Sequence, residues 1–144
     1  MVSFTIMGKP KAKQRHGFNR KTGRAFPKEE TVNFENLVKL SYRQVTDHFF
    51  EGSVKMTITV YMAIPKSASK KQFEAMMKGC VRPTKKPDLD NVGKSIADGL
   101  NTVAYHDDSC ITTMILRKVY HNRDFIDITL EDDIKDNATI HGWV

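Results

Sequence analysis

Lys86-Pro87-Asp88-Leu89-Asp90-Asn91-Val92-Gly93-Lys94 is the stretch around which the chain organises itself, and Tyr105-His106-Asp107-Asp108 follows it closely. From Asp90 onward, Val92, Ile96, Leu100 and Val103 recur at helical spacing, which predicts a helix with one apolar face. Asp90, Lys94 and Asp98 fall at i, i+4 and i+8 on roughly the opposite side. A carboxylate that caps a helix start is a common structural device worth about 0.5–2 kcal/mol. Capping accounts for Asp90 as readily as a chemical role does. It accounts neither for Asp88 nor for a second acidic pair returning from the far end of the same helix. Asp98 is expected to be an ordinary helix-surface residue. By itself Asp107-Asp108 reads as a polar turn before a strand, and Lys94 as half of an exposed helix ion pair worth a few tenths of a kcal/mol. The order and spacing of these residues carry more than any one of them.

Working outward toward the C-terminus, Ile111, Thr113, Ile115, Arg117 and Val119 alternate with Thr112, Met114, Leu116 and Lys118. A turn at His121–Asp124 leads into Ile126, Ile128 and Leu130, so a hairpin is expected here. The tail, about 132–144, is acidic and then irregular. Working outward toward the N-terminus, residues 66–86 form a basic insertion, expected to be mobile, in which Lys70–Lys78 has the makings of a short helix. Before it, Val54, Met56, Ile58, Val60, Met62 and Ile64 alternate with Lys55, Thr57, Thr59 and Tyr61, the clearest half-buried strand in the chain. Pro27 opens a helical stretch to about His48, with Phe34, Leu37, Val38, Tyr42, Val45 and Phe49 at helical spacing and Glu29 and Glu30 near its positive end. Residues 9–27 form a basic loop with room for a brief hairpin around Thr22-Gly23, and Val2, Phe4 and Ile6 mark a first short strand. Phe18 and Phe26, set among the bases of that loop, are as well suited to pinning it to the core as to stacking on nucleotides. The expectation is one α/β domain of the α+β type over 1–144, with a mixed or antiparallel sheet and two main helices.

At 144 residues the chain is long enough for a single domain with a real core. A hydrophobic fraction of 40% and a charged fraction of 28% match a globular protein, and no apolar run reaches membrane-spanning length. Two isolated cysteines, Cys80 and Cys110, and five scattered histidines form no zinc pattern, so reduced thiols in a cytoplasmic protein are expected. The net charge of +6 is segregated: residues 1–28 carry eight bases and no acid, and residues 66–86 carry seven bases and one acid, leaving eight bases against sixteen acids elsewhere. Lysine-rich loops are often merely solvated. Two separate basic segments on an acidic remainder are better explained by a polyanion whose phosphates they neutralise.

Phosphodiester hydrolysis requires a nucleophilic water and relief of negative charge on phosphate and leaving oxygen. A magnesium or manganese ion held by a few aspartates supplies both. Lys94 would then hold the scissile phosphate or stabilise the transition state. Lys86-Pro87-Asp88-Leu89-Asp90-Asn91-Val92-x-Lys94, then Asp98-x-Leu100-Asn101, then Tyr105-x-Asp107-Asp108-Ser109-x-Ile111, resembles the signature of the RusA family of Holliday-junction resolvases. The likeness covers most of residues 1–131, in the order strand, basic loop, helix, strand, motif helix, hairpin. It implies a small homodimer that cuts four-way DNA junctions with Mg2+ or Mn2+. It also implies Asp88, Asp90 and Asp108 as essential carboxylates and metal ligands, Lys94 as the essential lysine, and Asp107 as a weaker candidate beside them. Lys9, Lys11, Lys13, Gln14, Arg15, Arg20, Lys21, Arg24, Lys85 and Lys86, all in or beside the basic segments, are the expected DNA contacts. Cys110, Gly99 and Gln14-Arg15-His16-Gly17 depart from the family's usual pattern.

Two other readings compete. One is a non-catalytic branched-DNA-binding module whose aspartates are caps and turn residues. The other is a different nuclease architecture built on Pro87-Asp88 and the later Asp133-Ile134-Lys135, disfavoured because the second half lies in the tail.

Overall fold

The computed structural model describes residues 1–10, 17–19, 21–26 and 29–134. The elements run β1 (Val2–Met7), β2 (Gly17–Asn19), β3 (Arg24–Phe26), α1 (Glu29–Val45), β4 (Val54–Ala63), α2 (Lys70–Met77), α3 (Leu89–Gly99), a 3-10 turn (Asp108–Cys110), β5 (Ile111–His121) and β6 (Phe125–Asp132). The types of β1, α1, β4, α3, β5 and β6 follow the sequence periods, and the α+β class holds. Besides the two main helices, α1 and α3, the short helix expected over Lys70–Lys78 forms as α2. The segment expected as a mobile insertion contains α2, whose N-terminus carries a complete capping box between Ser69 and Gln72.

Val54, Met56, Ile58 and Val60 of β4 are buried, as their alternation requires. The partners of β4 differ from expectation. The main sheet has the order β1-β6-β4-β5, with β5 parallel to β4 and β6 antiparallel to both β4 and β1. The expected β5–β6 hairpin is therefore not formed. Instead the chain leaves β5 at His121 and passes over the end of β4. There Asp124 Oδ1 accepts from the Ala63 amide at 2.9 Å and the Asp124 carbonyl accepts from the Gly8 amide at 3.0 Å. It then descends on the other side of β4. A parallel β4–β5 pair needs a crossover between its strands, and α2 and α3 supply it. In the basic N-terminal region β2 and β3 pair antiparallel around Lys21–Gly23, which places a small hairpin where Thr22-Gly23 suggested one.

The core lies between the helices and one face of this sheet. Phe34, Val38 and Tyr42 of α1 are buried, and Tyr42 meets Phe4 of β1 edge-on at 5.6 Å. The α1 stripe is narrower and shorter than its apolar spacing suggests. Leu37 and Val45 are exposed and the helix ends at Val45 rather than near His48. α3 is the innermost helix: Val92, Gly93, Ser95, Ile96, Ala97 and Gly99 are all buried.

Two glycines permit that close packing. A Cβ on Gly99 would sit 3.1 Å from Val38 Cβ and 3.2 Å from the Glu35 carbonyl of α1. A Cβ on Gly93 would sit 3.1 Å from both Leu116 methyls of β5 and 3.2 Å from Met114 Sδ. Gly99 thus matches a tight α1–α3 contact.

Candidate active site

α3 starts at Leu89, with Asp88 in the extended N-cap position (φ −72°, ψ 134°). Asp88 makes no side-chain capping hydrogen bond. Asp90 lies one residue inside the helix, in its first turn. The capping explanation for Asp90 therefore falls away, because an N-cap residue flanks the helix with non-helical backbone angles and Asp90 is helical.

The segment before Asp88 is tethered from another element. Lys118 of β5 donates from Nζ to the carbonyls of Lys85 at 2.6 Å and Pro87 at 3.1 Å. Parallel pairing puts Lys118, on the edge strand β5, opposite Val60 of β4. One lysine thus spans from the sheet to the loop that delivers the first aspartate. Sequence reading placed Lys118 only in a strand alternation. Its sole sequence signal is a cation on the strand face otherwise held by Met114 and Leu116.

The far end of α3 is fixed just as firmly. Tyr105 is buried, and its hydroxyl donates to the Ala97 carbonyl at 2.7 Å. The Thr102 amide bonds the Tyr105 carbonyl at 2.8 Å, and the Phe50 amide bonds the Ala104 carbonyl at 2.7 Å. This folded return brings Asp107 and Asp108 back beside the helix. Asp107 caps the 3-10 turn, accepting from the Ser109 amide at 3.2 Å. Hydrogen bonding from the Ser109 side chain, and then from its amide, holds the exposed carboxyl below the usual range. Asp107 thus has a structural task of its own.

Asp108 is different. Partial burial pushes its carboxyl up, with the negative charges of Asp107 and Asp98 adding to the shift. Asp98, expected to be a plain surface residue, is half-buried and close enough to bias both Asp108 and Tyr105. The i, i+4, i+8 line on α3 therefore continues toward Asp108.

Asp90, Lys94 and Asp108 line one open cleft of about 480 Å³, together with Ala97 and with Ile111, Thr112, Thr113, Met114 and Leu116 of β5. Asp88 is exposed and does not line it. Among the described residues, no three His, Cys, Asp or Glu side chains stand close enough together to hold one metal ion. The donor chemistry nevertheless suits a hard divalent cation, since magnesium keeps several waters and takes one or two carboxylates. Asp90 and Asp108 provide that pair, with an ammonium alongside.

Of the expected DNA contacts, Lys9, Lys21, Lys85 and Lys86 are exposed, and Arg24 lies in β3. Lys11, Lys13, Gln14, Arg15 and Arg20 lie outside the described residues. Asp133 is engaged elsewhere: its Oδ2 accepts from the Thr112 and Thr113 hydroxyls, both at 2.6 Å. The Asp133 amide bonds the Ser53 carbonyl at 2.9 Å, and Lys135 lies outside the described residues. Cys80 and Cys110 are free thiols, and no helix among the described residues is long and apolar enough to cross a membrane.

The architecture is a small α+β domain whose parallel crossover presents two aspartates and a lysine in one cleft. The profile of the Endodeoxyribonuclease RusA family matches residues 7–131, so the chain belongs to the RusA endodeoxyribonuclease family and is a nuclease by descent. It is also similar to a Bacillus subtilis (strain 168) protein, YqaN, which is described as uncharacterized. The two are 31% identical over 138 residues, covering 91% of this chain and 96% of the relative.

Proposed function

We propose that this protein is a metal-dependent, structure-specific endodeoxyribonuclease that hydrolyses phosphodiester bonds at four-way (Holliday) DNA junctions, in recombination and repair. The observation that carries this reading is the cleft shared by Asp90, Lys94 and Asp108 in a chain of this family. Asp90 and Asp108, joined by Asp88 at the helix start, would hold Mg2+ or Mn2+. When bound, the cation supplies a nucleophilic water and offsets charge on the phosphate and the leaving oxygen. Lys94 sets its ammonium against the non-bridging phosphate oxygens, where charge accumulates as the bond breaks. Lys9, Lys11, Lys13, Gln14, Arg15, Arg20, Lys21, Arg24, Lys85 and Lys86 hold the arms through their phosphates, releasing counterions.

The enzyme acts as a homodimer, because a two-fold assembly matches two opposed strands of a four-way junction. The test is incubation with a synthetic four-way junction and with continuous duplex of the same sequence, with and without Mg2+ or Mn2+. Symmetric nicks in the junction, dependent on the cation, are expected. Tight junction binding with no cleavage under either cation would replace the enzyme reading with that of a DNA-binding module.

A further inference from the structure

α2 buries none of its eight residues, although a helix of that length is marginal alone in water. What defines it is local: the Ser69 hydroxyl accepts from the Gln72 amide at 3.2 Å and the Gln72 side chain accepts from the Ser69 amide at 2.8 Å. One side of α2 lies against β5. Phe73 and Met77, one turn apart, are 42% and 41% exposed, and Val81 just beyond is 44% exposed. The same segment carries exposed Lys70, Lys71, Lys78 and Arg82 against a single acid, Glu74.

We propose that this face of α2 is a base-stacking surface: Phe73 and Met77 receive bases left unpaired at the branch of a DNA substrate, while the surrounding cations hold the adjoining phosphates. An apolar protein partner fits poorly, since lysines are depleted from interface cores and would have to be stripped of water there. A polyanion that also offers flat apolar faces satisfies both halves of the patch. Nucleic acid offers such faces only where bases are unstacked, because in continuous duplex they are hidden. The location agrees. α2 rests on the strand whose Thr112, Thr113, Met114 and Leu116 line the candidate cleft, and the basic segment that follows α2 leads through residues 78–87 to Asp88. The inference rests on the junction-nuclease reading and extends it by naming how the branch is recognised.

Affinities of the full-length wild type, Phe73→Ala and Phe73→Trp, measured without divalent cation, test it. The probes are a four-way junction, a duplex with a short single-stranded gap, and continuous duplex. Phe73→Ala is expected to weaken junction and gapped-duplex binding by about tenfold and to leave continuous duplex unchanged, with Phe73→Trp restoring the loss. An equal loss on all three probes, or no loss on any, overturns the proposal. So does a loss that tracks with a change in oligomeric mass on light scattering. If wild type shows no preference for the junction yet Phe73→Ala still loses only gapped-duplex binding, the stacking surface stands and the junction reading falls.

Discussion

α2 and α3 follow one another in the chain and both lie against β5, yet they are built on opposite principles. α3 buries six of its residues, approaches α1 and β5 through glycines, and is tied at both ends by Lys118 and Tyr105. α2 buries none and keeps its form through a capping box. Groups that act on a reacting phosphate need fixed positions, and packing against a core provides them. A surface that grips an irregular substrate needs exposure instead. On the proposed function, helices with so little in common in one crossover would separate the two jobs, chemistry on α3 and recognition on α2.

The largest expected effect is on the chemistry. Lys94→Met should lower the junction-cleavage rate by roughly 10²–10³-fold with little change in binding, as for loss of one preorganised charge-stabilising donor. An equal fall in affinity would move Lys94 from the chemistry to simple phosphate binding. Next comes the packing of α3. Gly99→Val places new methyls against Val38 and the Glu35 carbonyl and should cost about 1–3 kcal/mol, measured as a lower urea midpoint. The matching change in α2, Ser69→Ala, removes a cap worth about 1 kcal/mol. It should raise hydrogen exchange in α2 alone and leave the global midpoint in place. A global loss from Ser69→Ala would erase the contrast between the helices.

Lys118→Met sharpens it from another side. Freed from Lys118, the 85–87 segment should present Asp88 less well, raising several-fold the Mn2+ concentration that half-saturates cleavage. The thermal midpoint should stay put, and Lys118→Arg should recover part of the effect. An unchanged Mn2+ requirement with weaker, less salt-sensitive junction binding would make Lys118 a phosphate contact instead.

The smallest effect concerns charge within the cleft. Asp108 is pushed above the ordinary carboxylate range by partial burial and by Asp107 and Asp98. Its ionised form is therefore less favoured in the folded chain than in the unfolded one. The resulting cost is absent at pH below the unfolded pKa and grows as pH rises through the raised folded value. Asp108→Asn should accordingly raise the metal-free thermal midpoint slightly at pH 7 and leave it unchanged near pH 3.

What the chain's order made legible was mostly one-dimensional. The burial of β4 and α3 follows directly from alternation and helical spacing, and the aspartate–lysine cluster is visible as written. Pairing was not legible. Alternation tells which face of β5 and β6 is covered but not which strand lies beside which. A three-residue connection that bridges the end of β4, held by Asp124, has the same sequence appearance as a hairpin turn. The role of Asp90 turned on a boundary: with α3 starting at Leu89, the cap position passes to Asp88. Lys118 stood out only as one residue of a strand alternation and Asp98 only as a helix-surface residue, because their surroundings come from contacts that cross from one element to another.

Asp90→Asn, assayed for binding and cleavage of the same four-way junction, tests the central claim most directly. The amide keeps the shape of the carboxylate while removing a negative charge beside the phosphate. Cleavage with Mg2+ or Mn2+ should disappear while junction affinity is retained or increased. Cleavage at the wild-type rate by Asp90→Asn would place the chemistry outside the α3 cleft.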